Sequence, residues 1–231
     1  KQMHTVIFTG GQSPEPEATR AYFTRLPPDK VIAADSGLET LARYQAFFGR
    51  GFAPSAILGD MDSLGDRSLL KRWPEAQVQT FPRDKDWSDT ELALHLVCKG
   101  TGADTAGVAP RDTSAPFPLI TLVGAGGGRA DHFLAVFDCF ATRERPDVWL
   151  TPEQALWYAG AESRFSIAGL EEKDALSVAR TSAGRTGGRI QSCGLEWEWE
   201  HFRKEGFPSL SNRISRACCQ AGGSVEVSVE A

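Results

Sequence analysis

Short apolar runs that end in Gly or Asp alternate, up to Arg145, with segments whose apolar residues recur at helical spacing. That alternation is the feature that most restricts the fold. The runs are "TVIFTGG", "KVIAADSG", "SAILGDMDS", "VQTF" before Pro82, and "PLITLVGAGGG". Continuous apolar runs of this length, closed by turn residues, suit strands buried on both faces of a parallel sheet. Between them "EATRAYFTRL", "LETLARYQAFF", "SDTELALHLVC" and "DHFLAVFDCFATR" read as helices. In the third, Ser88 and Glu91 have the spacing of a capping box, and Leu92, Ala93, Leu96 and Val97 form the inward stripe. Strand, helix, strand is the order of an α/β domain.

The period changes near "RERPDVWL". Beyond Pro146 come short runs punctuated by glycine: "ALWYAG", "RFSIAG", "ALSVART", "GGRIQSCG", "LEWEWE", "SRACCQ" and "SVEVSVE". "EWEWE" and "VEVSVE" alternate strictly, which is strand spacing. This half reads as an antiparallel β-sandwich or small barrel. The expected fold class is α/β plus all-β: an N-terminal Rossmann-like parallel-sheet domain over residues 1–147, then a C-terminal antiparallel β-sandwich over 148–231. The Gly-, Ala-, Thr- and Pro-rich stretch "CKGTGADTAGVAPRDTSAPFP" reads as a surface excursion within the first domain.

Several function classes fall away on bulk properties. The chain of 231 residues carries a formal net charge of -5, without the basic footprint of a general nucleic-acid binder. No apolar stretch approaches a membrane span, and the apolar run near the start is too short for a secretory signal. Five cysteines, odd in number and without a CxxC pair, give neither a disulfide framework nor a zinc site. Reduced thiols in a cytoplasmic protein are the expectation.

The acids carry more information. In open α/β sheets, ligands bind beyond the carboxyl ends of the strands. Asp35 follows "VIAA", Asp60 and Asp62 follow "AIL", Asp84, Asp86 and Asp89 follow "QTF", and Asp131 follows "ITLV" and a glycine loop. Two carboxylates ~6 Å apart repel by roughly 3 kcal/mol at an effective dielectric near 20. A group of them takes up protons or gathers a cation, and an oxygen-rich set suits Mg²⁺. The plainer reading is that each Asp caps a helix or turn, as Asp66 and Asp89 could. For acids at the ends of successive strands, a cation site is the better account.

"GAGGGRADH" has the opposite preference. Small residues at Gly127 and Gly128 let backbone amides approach an anion, and Arg129 can clamp a phosphate with two hydrogen bonds. Its spacing fits neither GxGxxG nor GxxxxGK, so a plain tight turn is an equal reading of the loop alone. His132 is either a donor to phosphate or a first-turn residue bonded to a carboxylate. His95, four residues after Glu91, reads as a solvated helix neighbour; His4 and His201 have no pattern around them. Trp197 and Trp199 share one face of the expected strand, as core or as an aromatic wall for a cationic ligand.

Taken in order, "AADSG", "LGDMDS", "DKDWSDTELAL", "GGRADH" and "LSNRI" resemble the thiamine pyrophosphokinase family, from the first strand to about Ile214. The resemblance implies an α/β domain that binds ATP and Mg²⁺ and a β-sandwich that binds thiamine. It implies transfer of the pyrophosphoryl group of ATP to the thiamine hydroxyl, leaving AMP, in a homodimer whose cleft involves both domains and both subunits. By matching motifs, Asp60, Asp62 and Asp86 are the metal candidates, with Asp84 as a further one. Asp35 and Asp89 complete the catalytic acids. Gly127, Gly128, Arg129, Asp131 and His132 would form the phosphate wall, and Ser211 and Asn212 would reach the thiamine side. Ser36, Glu39, Met61, Ser88 and Val136 depart from the usual pattern, while every acid is kept. Two alternatives stand beside this: a related pyrophosphokinase acting on a pterin-like heterocyclic alcohol, and an inactive nucleotide or thiamine sensor.

Overall fold

The computed structural model describes residues 2–61, 65, 67–82, 86–99, 118–160, 162–181, 189–199 and 209–230. The chain divides into two compact units, Lys1–Tyr158 and Ala159–Ala231.

The first unit is a seven-stranded sheet flanked by helices. The strands are β1 (His4–Phe8), β2 (Lys30–Ala34), β3 (Ala56–Gly59), β4 (Gln77–Thr80), β5 (Leu119–Val123), β6 (Val148–Leu150) and β7 (Ala155–Trp157). Their order is β4-β3-β2-β1-β5-β6-β7. All neighbours are parallel except β7, which turns back against β6. The helices are α1 (Arg20–Arg25), α2 (Gly37–Phe48), α3 (Asp89–Lys99) and α4 (Ala130–Cys139). All five apolar runs form strands, and all four helical patterns contain helix. Alternation along the strands splits the core between two faces. Val6, Phe8, Val31, Ala33, Ile57 and Val123 pack with Leu38, Leu41 and Tyr44 of α2. Ile7, Ile32, Ala34, Leu58, Ile120 and Leu122 pack with Ala93, Leu94 and Val97 of α3 and Val136 of α4. β4 is the exception: it is an edge strand with little burial.

Two residues show how closely the layers meet. A Cβ at Gly37 would lie 2.3 Å from the Phe8 carbonyl oxygen, so only glycine lets α2 start against β1. The indole of Trp149, fully buried in β6, donates to the Gly124 carbonyl at 2.8 Å.

The expected boundary between residues 147 and 148 moves to Tyr158. β6 and β7 are hydrogen-bonded to the first sheet, and Trp149 fills its core. "ALWYAG" therefore belongs to the first unit.

The second unit holds two antiparallel sheets. One has order β10-β12-β8 and the other pairs β11 with β9. Their ranges are β8 (Arg164–Ile167), β9 (Leu176–Val178), β10 (Arg189–Cys193), β11 (Ser209–Asn212) and β12 (Val225–Glu230). Leu195, Trp199, Ile214, Val225 and Val227 form its core, with Phe165, Leu176, Val178 and Ile190 packed against them.

Among the described residues one expected strand is absent here. "EWEWE" is an irregular turn among its described residues, with one isolated bridge between Leu195 and Ile214. The Glu198 carboxylate accepts from the amides of Gly194 and Leu195 and from the Ser192 hydroxyl, which folds the segment back on β10. Trp197 and Trp199 consequently do not share a surroundings: Trp197 is 58% exposed and Trp199 is 7% exposed. "SRACCQ" is helix, α5 (Arg216–Gln220), begun by Ser215, whose side chain accepts from the Cys218 amide. The side-chain cap outweighs the short apolar pattern. The excursion over residues 100–117, and His201, lie outside the described residues.

Candidate active site

Asp35 is the first residue after β2, Asp60 the first after β3, and Asp89 the first of α3. All three are half-buried, and each offers a carboxylate oxygen within 4.8 Å of the other two. Parallel strands bring this about, since their carboxyl ends lie along one edge of the sheet.

The backbone here is unusual. Asp35 has φ 49°, Met61 φ 59° and Gly59 φ 138°. Asp tolerates the left-handed region better than most residues, and such conformations concentrate at functional sites. The Asp35 amide donates to the Leu58 carbonyl at 2.7 Å, and the Leu38 amide donates to the Asp35 carbonyl at 3.1 Å. Asp35 is thus held between β3 and the first turn of α2. Met61 is buried in the α2-side core.

α3 is seated by its expected capping box. The Glu91 carboxylate accepts from the Ser88 amide at 2.8 Å, and Ser88 Oγ accepts from the Glu91 amide at 3.2 Å. Asp86 is exposed and lies outside the three-carboxylate group. Asp62, Asp84 and Asp66 lie outside the described residues.

The glycine loop follows β5. Gly124, Ala125, Gly127 and Gly128 all have positive φ. The amides of residues 124, 125 and 126 donate to Leu150, Gly10 and Gln12 carbonyls. Gly127 and Gly128 make no such backbone bond among the described residues, so they are the loop amides open to an anion. A Cβ at Gly127 would lie 2.3 Å from Gln12 Oε1, whereas Gly128 faces open space.

Arg129 does not wait as an open clamp. Its Nε donates to Asp131 Oδ1 at 3.0 Å and its Nη2 to Asp131 Oδ2. The guanidinium draws the Asp131 carboxyl down to about 2. Both side chains are largely exposed, so water and salt screen the pair and an incoming anion can compete with Asp131 for the fork. His132 is exposed on the first turn of α4.

Ser211 and Asn212 belong to the second unit. Ser211 has φ 55°, and its amide donates to Ser177 Oγ at 3.1 Å. Asn212 is buried, and its side chain is engaged locally. Oδ1 accepts from the Trp197 and Arg213 amides, and Nδ2 donates to the Trp197 carbonyl at 2.6 Å.

Gln12, His95, Thr9 and Thr90 make contacts that the sequence pattern does not announce. Gln12 closes a two-way backbone bridge with Gly126; its signal was the "GGQ" that follows the first strand. His95 is no solvated neighbour of Glu91: its Nδ1 lies 2.9 Å from Glu144 Oε2, and its ring meets Trp87 edge-on at 4.3 Å. Thr9 and Thr90 share a buried hydrogen bond.

A family model described as "Thiamin pyrophosphokinase, catalytic domain" matches residues 28–150, more than half of the chain. The chain belongs to the thiamin pyrophosphokinase family. The match runs from just before β2 through β6, so the three carboxylates and the glycine loop all fall inside the family's catalytic domain. Ser211 and Asn212 fall outside it. Thiamin pyrophosphokinase from Candida albicans superposes with a TM-score of 0.61 at 14% identity, covering 99% of this chain and 86% of the other. The yeast thiamin pyrophosphokinase gives 0.58 at 14% identity, covering 100% and 83%. At that identity the likeness speaks to the fold, a mixed parallel sheet with helices plus antiparallel sheets, and it extends over both units. No curated protein sequence matches the chain significantly. Among the described residues no helix is long and apolar enough to cross a membrane.

Proposed function

We propose that the protein is a Mg²⁺-dependent thiamine pyrophosphokinase. It would transfer the pyrophosphoryl group of ATP to the hydroxyl of thiamine, giving thiamine diphosphate and AMP. The observation that carries this reading is the meeting of Asp35, Asp60 and Asp89 at the carboxyl edge of the sheet, inside the family's catalytic domain.

The donor set fits the ion. Mg²⁺ takes oxygen ligands near 2.1 Å, so adjacent ligands sit ~3 Å apart and opposite ones ~4 Å. The three carboxylate oxygens need only small side-chain movements to reach such spacings from within 4.8 Å. Asp35, Asp60 and Asp89 would hold the ion, with Asp62, Asp84 and Asp86 as further candidates. When bound, Mg²⁺ neutralises charge on the phosphate oxygens.

The chain's own residues do the positioning that phosphoryl-type transfer chiefly requires. The open amides of Gly127 and Gly128 would donate to phosphate oxygens. Arg129 would exchange its bond to Asp131 for one to phosphate, and His132 would stand beside it. Ser211 and Asn212 are assigned to the thiamine side. The reading includes a cytoplasmic homodimer, for which sedimentation velocity should give twice the chain mass.

The direct test is incubation with ATP, Mg²⁺ and thiamine. AMP and thiamine diphosphate should appear in equal amounts; ADP as the nucleotide product would refute pyrophosphoryl transfer. A hydroxymethyl pterin in place of thiamine should not be converted. Asp60→Asn should lower kcat by at least ~100-fold while leaving the circular dichroism spectrum unchanged.

A further inference from the structure

Asp35 and Asp60 are rooted directly in strands, so the sheet fixes their places. Asp89 is different. It rides on α3, and its distance from the other two depends on where that helix sits along the sheet and how it is turned. Most of the buried face of α3 is apolar: Ala93, Leu94, Val97 and Cys98. Apolar burial is non-directional and tolerates small sliding and rotation. The remaining buried residue of that face is Thr90, next to Asp89.

Thr90 Oγ1 lies 2.6 Å from Thr9 Oγ1, and the two residues are 8% and 5% exposed. Thr9 immediately follows β1, the central strand beside which the strand order reverses. Its amide donates to the Val123 carbonyl of β5 at 3.0 Å. Its own carbonyl packs so closely on Gly124 that a Cβ there would lie 2.4 Å away. Thr9 is therefore among the least movable points at this edge of the sheet. A hydrogen bond is directional where apolar contact is not.

We propose that the buried Thr9–Thr90 hydroxyl pair is a positioning device: it fixes the seat of α3 on the sheet and so the distance at which Asp89 meets Asp35 and Asp60. The inference rests on the reading of those carboxylates as a divalent-cation site. In this proposal neither threonine is a ligand of the ion; the pair acts through the placement of Asp89.

The test uses Mn²⁺ alone as probe, with free ion counted by electron paramagnetic resonance, alongside thermal melts of the same proteins. Thr90→Val keeps the shape and removes the hydroxyl, leaving Thr9 buried without its partner. It should weaken Mn²⁺ binding by about tenfold, as loss of supporting hydrogen bonds around metal ligands does, and lower the melting temperature. Thr90→Ser should restore both. The deciding protein is the double variant Thr9→Val/Thr90→Val. Replacing both partners by apolar groups of the same shape is close to neutral for stability. Its melting temperature should return towards that of the parent while Mn²⁺ binding stays weak, and the concentration of Mg²⁺ giving half-maximal rate should rise more than kcat falls. A double variant that binds Mn²⁺ as tightly as the parent would reduce the pair to a packing contact and overturn the proposal, leaving the cation site intact. A parent protein that binds no Mn²⁺ would overturn the cation site and the pin together.

Discussion

Single residues at the site differ in how far the chain alone reveals them. Asp35 and Asp60 are legible because each stands one step past an apolar run, and a strand end in a parallel sheet has one place to be. Asp89 reads equally as a helix cap or a ligand; only the meeting of α3 with β2 and β3 decides for the cluster. Arg129 is legible as a charge but not as a bond, since its partner Asp131 is set by the local fold of the loop. Away from the site, Tyr44 carries a measurable consequence. Its side chain is fully buried, its hydroxyl donates to the Pro14 carbonyl at 3.1 Å, and burial pushes its phenol up to about 12 from 10.0. The folded state therefore favours the neutral phenol. This contribution is fully present below pH 10 and is lost as pH rises through the folded value, an effect of roughly 2–3 kcal/mol. Urea melts between pH 9 and pH 12 should show stability falling from about pH 10 upward. Tyr44→Phe should flatten that slope while lowering stability at neutral pH by ~1 kcal/mol.

Elements follow the same division. The strands β1, β2, β3 and β5 and helices α2 to α4 are written in continuous apolar runs and in helical stripes, because burial on two faces demands the first and burial on one face the second. The capping box at Ser88 and Glu91 forms as its spacing predicts. "EWEWE" fails because period two states a preference that only a neighbouring strand can satisfy. Glu198 instead satisfies the amides of Gly194 and Leu195. The two tryptophans distinguish the cases. Trp199 sits in the core of the second unit and donates through Nε1 to Ser209 Oγ at 2.9 Å, whereas Trp197 is exposed beneath the Arg213 guanidinium at 5.1 Å. Trp199→Ala should lower the stability of the second unit by about 3–5 kcal/mol. Trp197→Ala should cost no more than ~1 kcal/mol, most of it the cation–π contact. Chemical denaturation followed by circular dichroism measures both; equal losses would return the pair to one strand face.

For the whole molecule, the position of the unit boundary is the sharpest consequence of the tertiary structure. A chain ending at Asp147 lacks β6 and β7 and empties the core site of Trp149, which also holds Gly124 of the glycine loop. A chain ending at Tyr158 keeps the full seven-stranded sheet. The longer fragment should melt cooperatively. The shorter one should be poorly folded, because it combines an exposed sheet edge with a cavity the size of an indole. Thermal melts of the two fragments check this directly.

Local pattern sufficed for the sequence of strands and helices and for the placement of acids at strand ends, because burial and capping act over a few residues; the resemblance to the family rested on its ordered motifs instead. Strand order, the return of β7 onto β6, the separation of Trp197 from Trp199 and the closing of Arg129 onto Asp131 needed the folded chain. So did the meeting of Asp35, Asp60 and Asp89 and the bond between Thr9 and Thr90. Strand order, the meeting of the three carboxylates and the Thr9–Thr90 bond depend on which distant segment comes to lie alongside, which packing across the sheet settles; the others depend on hydrogen bonds between near neighbours that no apolar period announces.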